Sequence, residues 1–187
     1  MNANLAALMP QAIAVWCEEA GHEVHLVVYT GFEDLSTVLP DGVDVLFVGA
    51  FSQSAQLAYA LSRMYRDRGV VTVVGGPHAR CYPEDCSRYF DYVVGFADRS
   101  TVLSVLEERA PAGPGLGRRV SAPGQPTALR SLGARWPHVE RTLRKAPLIR
   151  IVPMIASLGC PYACSFCIDS TVPHQPLPAT QLIEDLR

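Results

Sequence analysis

Four stretches of the chain are apolar at nearly every position and rich in β-branched residues: 24–30 (VHLVVYT), 43–50 (VDVLFVGA), 70–75 (VVTVVG) and 91–95 (DYVVG). A strand with one wet face alternates apolar and polar side chains. Unbroken apolar runs of this length therefore mark strands buried on both faces, as in a parallel sheet. Between them lie helical patterns. Residues 10–20 open on a proline and stop at Gly21, while residues 53–68 carry Leu57, Leu61, Met64 and Tyr65 at helical spacing before Gly69. Ser52 or Ser54 stands where it could cap the second helix. The repeated β-then-α order predicts an α/β fold, a doubly wound, Rossmann-like parallel sheet whose ligand site lies outside the strand carboxyl ends. Residues 1–9 (MNANLAALM) offer no β-branched run for the first strand of that architecture, so either the chain starts late or the sheet is assembled differently.

The pattern breaks after residue 110. Residues 111–147 hold six prolines and five glycines, which marks a linker or wrapping segment between a domain at 1–110 and a second one at 148–187. Charge shifts at the same place: residues 118–150 have eight basic side chains against the single acid Glu140, whereas residues 1–117 carry a net charge of −7. Arg118, Arg119, Arg130 and Arg135 could dock phosphates. Without interleaved aromatic residues, the favoured reading is an arginine-rich, solvated segment lying on the acidic domain. Beyond it, residues 148–157 (LIRIVPMIAS) read as a strand, 159–170 as a loop and 179–186 as a helix with Leu182, Ile183 and Leu186 on one face. That is one βα unit, opened and not continued.

Composition narrows the class. With 187 residues, 49% of them hydrophobic and 18% charged, the chain can bury a sizeable core and is not disordered throughout. A net charge of −2 gives no overall electrostatic footprint for nucleic acid or an anionic membrane. No apolar run approaches the roughly 18 residues needed to cross a bilayer. No lysine or arginine precedes Arg63, so the basic start of a secretory signal is missing and the expected compartment is the cytoplasm.

Six cysteines in a cytoplasmic chain point to thiols, metal ligands or catalytic groups before disulfides. Cys17, Cys81 and Cys86 are scattered, and buried or half-buried thiols are their default role. Cys160, Cys164 and Cys167 instead share the run CPYACSFC. With a chain reach of about 3.3 Å per residue, one tight loop can wrap three corners of a single cluster and leave the fourth open. The competing reading closes a zinc site with His174, but the six residues between Cys167 and His174 match no compact zinc module.

At Cys160, Cys164, Phe166 and Cys167 the chain resembles the radical S-adenosylmethionine superfamily, whose signature is CxxxCxΦC with an aromatic Φ at the end of a first barrel strand. The resemblance implies a [4Fe-4S] cluster on the three thiolates, S-adenosylmethionine chelated at the open iron, and Phe166 packed near the adenine. The upstream segments EEAGHEVHLVVYT and VVTVVGGPHARCYPED, followed by FDYVVG, are similar to the cobalamin-binding domain that precedes the barrel in one group of these enzymes. That likeness places cobalamin over Ala50, Phe51, Ser52, Gln53, Gly75, Gly76, Pro77, His78 and Gly95. Gly75 and Gly76 would let a flat macrocycle approach the backbone, although a tight turn ending at Pro77 explains them equally well. The DxHxxG motif that supplies an axial histidine in many cobalamin proteins is absent, so His78 is read as bonded to backbone or to the cofactor's periphery. The usual acidic ending of the last strand is replaced by Gly95-Phe96-Ala97-Asp98.

The implied reaction is reductive cleavage of S-adenosylmethionine to a 5′-deoxyadenosyl radical, followed by methyl transfer to an unactivated carbon or phosphorus of a small-molecule substrate. The implied electron donor is a flavodoxin or ferredoxin. The alternative is a non-catalytic cobalamin- or nucleotide-binding module with a structural metal loop. A complete (β/α)₈ barrel takes about 250 residues, whereas 20 follow Cys167. The chain is accordingly expected to be a fragment, opening a partial TIM barrel and inactive alone.

Overall fold

The computed structural model describes residues 7–39, 41–113, 115–124, 131–144, 152 and 154–186. The apolar runs at 43–50, 70–75 and 91–95 become β1 (Val45–Gly49), β2 (Val71–Gly75) and β3 (Tyr92–Val94), and β4 (Arg118–Val120) extends them into one parallel four-stranded sheet. Alternate residues feed two cores. Val48, Val74 and Val93 pack with Ala58 and Tyr59, with Ala79, Cys86 and Phe90, on one side. Val71, Val73, Tyr92 and Val94 pack with Val105 on the other. Each fully buried valine contributes about 1.5 kcal/mol or more relative to leaving it in water, and with both faces buried no alternation remains to be seen in the sequence. This mixed α/β sheet is consistent with the Rossmann-like class. Its strand order, β1-β2-β3-β4, runs without reversal among the described strands, so the crevice of a doubly wound switch point is not formed by them.

The remaining elements are α1 (Leu8–Glu19), α2 (Leu35–Val38), α3 (Ala55–Arg66), α4 (Pro77–Cys81), α5 (Pro83–Cys86), α6 (Arg99–Glu108), α7 (Leu132–Arg144) and α8 (Ala179–Asp185), with a two-residue ladder of β5 (Ser157–Leu158) and β6 (Gln175–Pro176). The chain forms two compact units: residues 40–126 with 166–168, and residues 1–39 with 127–165 and 169–187.

In the sheet unit, α3 differs from its predicted face. Its buried side is Ala55, Ala58, Tyr59, Ser62 and Tyr65, small residues that let the helix lie close on the strands, with Leu57, Leu61 and Met64 at the margin. The buried Ser62 hydroxyl lies 2.9 Å from Thr72 Oγ1 and 2.7 Å from Tyr89 O and shares its one proton between them, so a polar side chain is accommodated without an orphaned group. Neither serine expected to cap this helix makes a side-chain cap bond. Ser54 Oγ donates back to Phe51 O at 3.1 Å, and Ser52 turns to His78.

The segment expected to be a linker is structured at both of its described ends. Its residues 118–120 are β4, and Arg118 N donates to Asp91 O at 2.8 Å. Asp91, only 1% exposed, anchors this docking: Oδ2 accepts from Thr72 N at 2.8 Å, and Oδ1 accepts from Ala112 N at 2.8 Å and pairs with Arg66. Arg118 pairs with Glu108 and Arg119 with Glu84, the basic-on-acidic contact the charge distribution suggested. Arg135 departs from the phosphate-docking reading, being buried in α7, and Arg130 lies outside the described residues.

In the second unit α1 packs on α7 through a polar seam: Arg135 Nη1 donates to Gln11 Oε1 at 2.7 Å, and His138 Nε2 meets Glu18 Oε2 at 3.0 Å. The run at 24–30 forms no strand ladder among the described residues. Residues 148–151 and 153 of the strand predicted at 148–157 lie outside the described residues. Its last residue, Ser157, belongs to β5, which pairs antiparallel with β6, and the helix expected at 179–186 is α8.

Candidate functional site at the carboxyl edge of the sheet

Parallel register brings Gly49 beside Gly75, so the loops after β1 and β2 leave the sheet together. They are tied to each other: Ala50 N donates to Gly75 O and His78 N to Ala50 O, both at 3.1 Å. Gly76 sits between these bonds at φ 91°, ψ −174°, a conformation left almost entirely to glycine. A Cβ there would lie 3.1 Å from Ala50 O and 3.2 Å from Ala50 N. The glycine is thus required by the chain's own backbone, and a flat ligand is not needed to explain it. Gly75, in contrast, has only the ordinary contact of Val94 at 3.9 Å.

His78 is the most constrained of the predicted residues. It lies in the first turn of α4 with 6% of its surface exposed, and both ring nitrogens are engaged. Nε2 is 2.7 Å from Tyr59 Oη and Nδ1 is 3.1 Å from Ser52 Oγ, with donor and acceptor set by the tautomer. The sequence suggested bonds to backbone or to the cofactor's periphery; in the structure both ring nitrogens bond to side chains. Tyr59 also stacks on Tyr89 with ring centroids 4.1 Å apart, and burial raises its phenol pKa above the ordinary value, so the hydroxyl stays protonated. Its Oη lies 3.9 Å from Cys86 Sγ, a thiol whose pKa burial likewise raises. Ala50 is buried, whereas Phe51, Ser52 and Gln53 are exposed along the rim.

Gly95, after β3, faces a different neighbour. Gly95 N donates to Val120 O at 2.9 Å, Phe96 N to Ser121 Oγ at 3.0 Å and Ala122 N to Phe96 O at 2.9 Å. Beside this frame is a cavity of about 370 Å³ lined by Ala79, Arg80, Val93, Phe96, Arg119 and Ile168 among others. Its arginines were missed as a pair. Arg119 stood in the presumed linker, and Arg80 was overshadowed by the neighbouring GGPH run.

The cysteine loop is entered at Gly159, whose φ of 68° and close approach to Pro173 leave no room for a side chain. All three of its cysteines are free; Cys160 and Cys167 are half-buried and Cys164 is exposed. Cys160 and Cys164 belong to one compact unit, Cys167 with Phe166 and Ile168 to the other. Among the described residues no three His, Cys, Asp or Glu side chains are gathered as metal ligands. The donor chemistry nevertheless suits an iron–sulfur cluster, since three reachable soft thiols lie in one short run. Cys17, buried and with its pKa pushed up to about 11 by that burial and by Glu18, is unsuited to such a role. Phe166 is 91% exposed.

Among curated proteins, the chain is similar to bacteriochlorophyllide d C-8(2)-methyltransferase of Chlorobaculum tepidum, with 25% identity over 130 residues. That match covers 67% of this chain and 28% of the relative, so the chain spans less than a third of the relative's length. Among solved structures, the N-terminal domain of a hypothetical protein from Thermotoga maritima aligns with a TM-score of 0.43 and 19% identity, over 65% of this chain and 93% of that one. No protein-family profile matches the sequence. Among the described residues no helix is long and apolar enough to cross a membrane.

Proposed function

We propose that this chain is part of a cobalamin-dependent radical S-adenosylmethionine enzyme that transfers a methyl group to an unactivated carbon or phosphorus of a small molecule. The observation that carries the proposal is the run Cys160-Pro-Tyr-Ala-Cys164-Ser-Phe166-Cys167, all of whose thiols are free and at least partly accessible. The likeness to a methyltransferase supports methyl transfer as the outcome. When bound, a reduced [4Fe-4S] cluster with S-adenosylmethionine supplies one-electron chemistry, and cobalamin supplies a methyl carrier. The protein works in the cytoplasm with a flavodoxin or ferredoxin as its electron donor, and residues 148–187 open its partial barrel.

In this reading Cys160, Cys164 and Cys167 each hold one corner of the cluster, and the fourth corner is left to an exchangeable ligand. Phe166 offers an unoccupied aromatic face beside it, suited to stacking on a purine. A corrinoid at the carboxyl edge is held by its periphery, along Phe51, Ser52, Gln53 and Pro77, because the His78 nitrogens are already bonded. The rigid joining of the two loops through Ala50, Gly75 and His78 fixes that surface before a ligand arrives.

Anaerobic reconstitution of the full chain tests the cysteine assignment. About four iron and four sulfide per chain are expected, and they should be lost from the Cys160→Ala/Cys164→Ala/Cys167→Ala variant. Unchanged iron and sulfide in that variant, or stoichiometric zinc in place of iron, would sink the proposal. The zinc result would favour the non-catalytic module.

A further inference from the structure

We infer that Arg80 is a positioning residue for Cys167, holding the exit of the cysteine loop against the carboxyl edge of the sheet. The inference rests on the reading of Cys167 as a cluster ligand. Residues 166–168 belong to the sheet unit, and so does Arg80, near the end of α4. Arg80 Nη2 donates at 3.5 Å to Ile168 O, the carbonyl of the residue that follows Cys167. Ile168 also lines the cavity of about 370 Å³ together with Ala79, Val93, Phe96 and Val120. It is thus held both at its carbonyl and against the apolar wall of the sheet. Consecutive Cα atoms stand about 3.8 Å apart, so an anchored Ile168 leaves Cys167 little room to wander.

A bond of 3.5 Å holds little by itself. The ring beneath it supplies the rest: Arg80 Cζ lies over Phe96, 4.3 Å from the centroid, and that contact restrains the guanidinium that reaches the carbonyl. Phe96 is fixed in turn, since its N–H donates to Ser121 Oγ at 3.0 Å and its carbonyl accepts from Ala122 N at 2.9 Å. The backbone of Arg80 is fixed as well. Arg80 N donates to Gly76 O at 3.2 Å, and two residues earlier His78 is locked between Ser52 and Tyr59. One short helix therefore carries the Gly76–His78 loop at its start and the clamp on Ile168 near its end. Of the three thiols in the loop, Cys167 is the one this arrangement sets in place beforehand. A ligand ordered before iron arrives spares the cluster that ordering, and losing the clamp returns it.

Alkylation of the full chain by iodoacetamide, reduced and free of metal, tests this when each cysteine is read separately by peptide fragmentation. In Arg80→Gln, Cys167 should react at least about threefold faster than in the parent chain. Cys160 and Cys164 should keep their rates, and Cys86, buried in the same sheet unit, should stay protected. Phe96→Leu should move Cys167 in the same direction and takes over the comparison where Arg80→Gln does not fold. Arg80→Lys keeps a donor without the flat guanidinium and should fall between parent and Arg80→Gln, while Arg88→Gln, at an exposed arginine, should change nothing. An unchanged Cys167 rate in the folded variants overturns the inference. So does a rise of Cys86 in step with Cys167, which would mean a general loosening of the unit. After anaerobic reconstitution, Arg80→Gln should surrender iron to a chelator at least about threefold faster than the parent, and equal rates would also overturn it. A parent chain that takes up no iron defeats the cluster assignment instead, and the metal-free rates still decide whether Arg80 holds Cys167.

Discussion

Adding one methyl group at Gly76 should destabilise the sheet unit far more than adding it at the neighbouring Gly75. The φ of 91° and ψ of −174° at Gly76 are closed to an L side chain at a cost of about 1–3 kcal/mol. The new Cβ would in addition press on Ala50 O at 3.1 Å and Ala50 N at 3.2 Å. Those atoms cannot retreat freely, since both are hydrogen-bonded, to His78 N and Gly75 O. The combined loss comes to about 3 kcal/mol, a large share of the about 5–15 kcal/mol that stabilises a typical domain, and about 4–8 °C is expected per kcal/mol at this size. Gly75 has no positive φ and meets nothing closer than 3.9 Å, so Gly75→Ala should be neutral or slightly stabilising. Tryptophan emission would follow the wrong unit. Hydrogen exchange of the β2 amides, combined with urea unfolding monitored by circular dichroism, gives the comparison. If Gly76→Ala and Gly75→Ala unfold at the same urea concentration, the claim that the backbone of Ala50 dictates this glycine is wrong.

Two further outcomes follow from the buried polar and thiol groups. Tyr59→Phe removes the partner of His78 Nε2 inside the core, where an unsatisfied group costs about 1–3 kcal/mol; the half-exposed Tyr82→Phe is the control, and equal melting temperatures would refute the role of the bond. Cys17 has its folded pKa raised from 9.0 to about 11, so its contribution is complete below pH 9 and drains away as pH climbs toward 11. Denaturation midpoints of the parent chain should therefore fall more steeply across that window than those of Cys17→Ala, and parallel curves would count against the assignment.

The strands that could be read from sequence were those whose side chains are apolar on both faces, because burial on two sides leaves its mark in composition. Strand pairing leaves no such mark. Residues 24–30 have the composition of a buried strand and form no ladder among the described residues, while Arg118–Val120 have the composition of a surface loop and do pair with β3. A strand exists only with its neighbour's backbone, and that neighbour is remote in sequence. The same limit applied at the site. The loops after β1, β2 and β3 were legible because strands that end in glycine open at one edge. The partners of His78 were not, because Tyr59 and Ser52 lie 19 and 26 positions away on α3 and its leading turn.

Polar residues inside the apolar runs carried information that periodicity overlooked. Thr72 interrupts VVTVVG and Asp91 opens DYVVG, and either could pass for a strand boundary. Both are buried, and they bind each other through Thr72 N and Oγ1 to Asp91 Oδ2 at 2.8 and 3.0 Å. A carboxylate buried this deeply is tolerated only when its remaining oxygen is satisfied as well. Here Oδ1 takes Ala112 N and the Arg66 guanidinium, and Arg66 in turn donates to Ala112 O and Tyr89 O. Residue 112 is thereby fixed on the sheet, and the chain emerging from it is delivered to the open edge of β3, where Arg118 N finds the Asp91 carbonyl. The buried aspartate thus converts a proline- and glycine-rich stretch from a tether into the fourth strand.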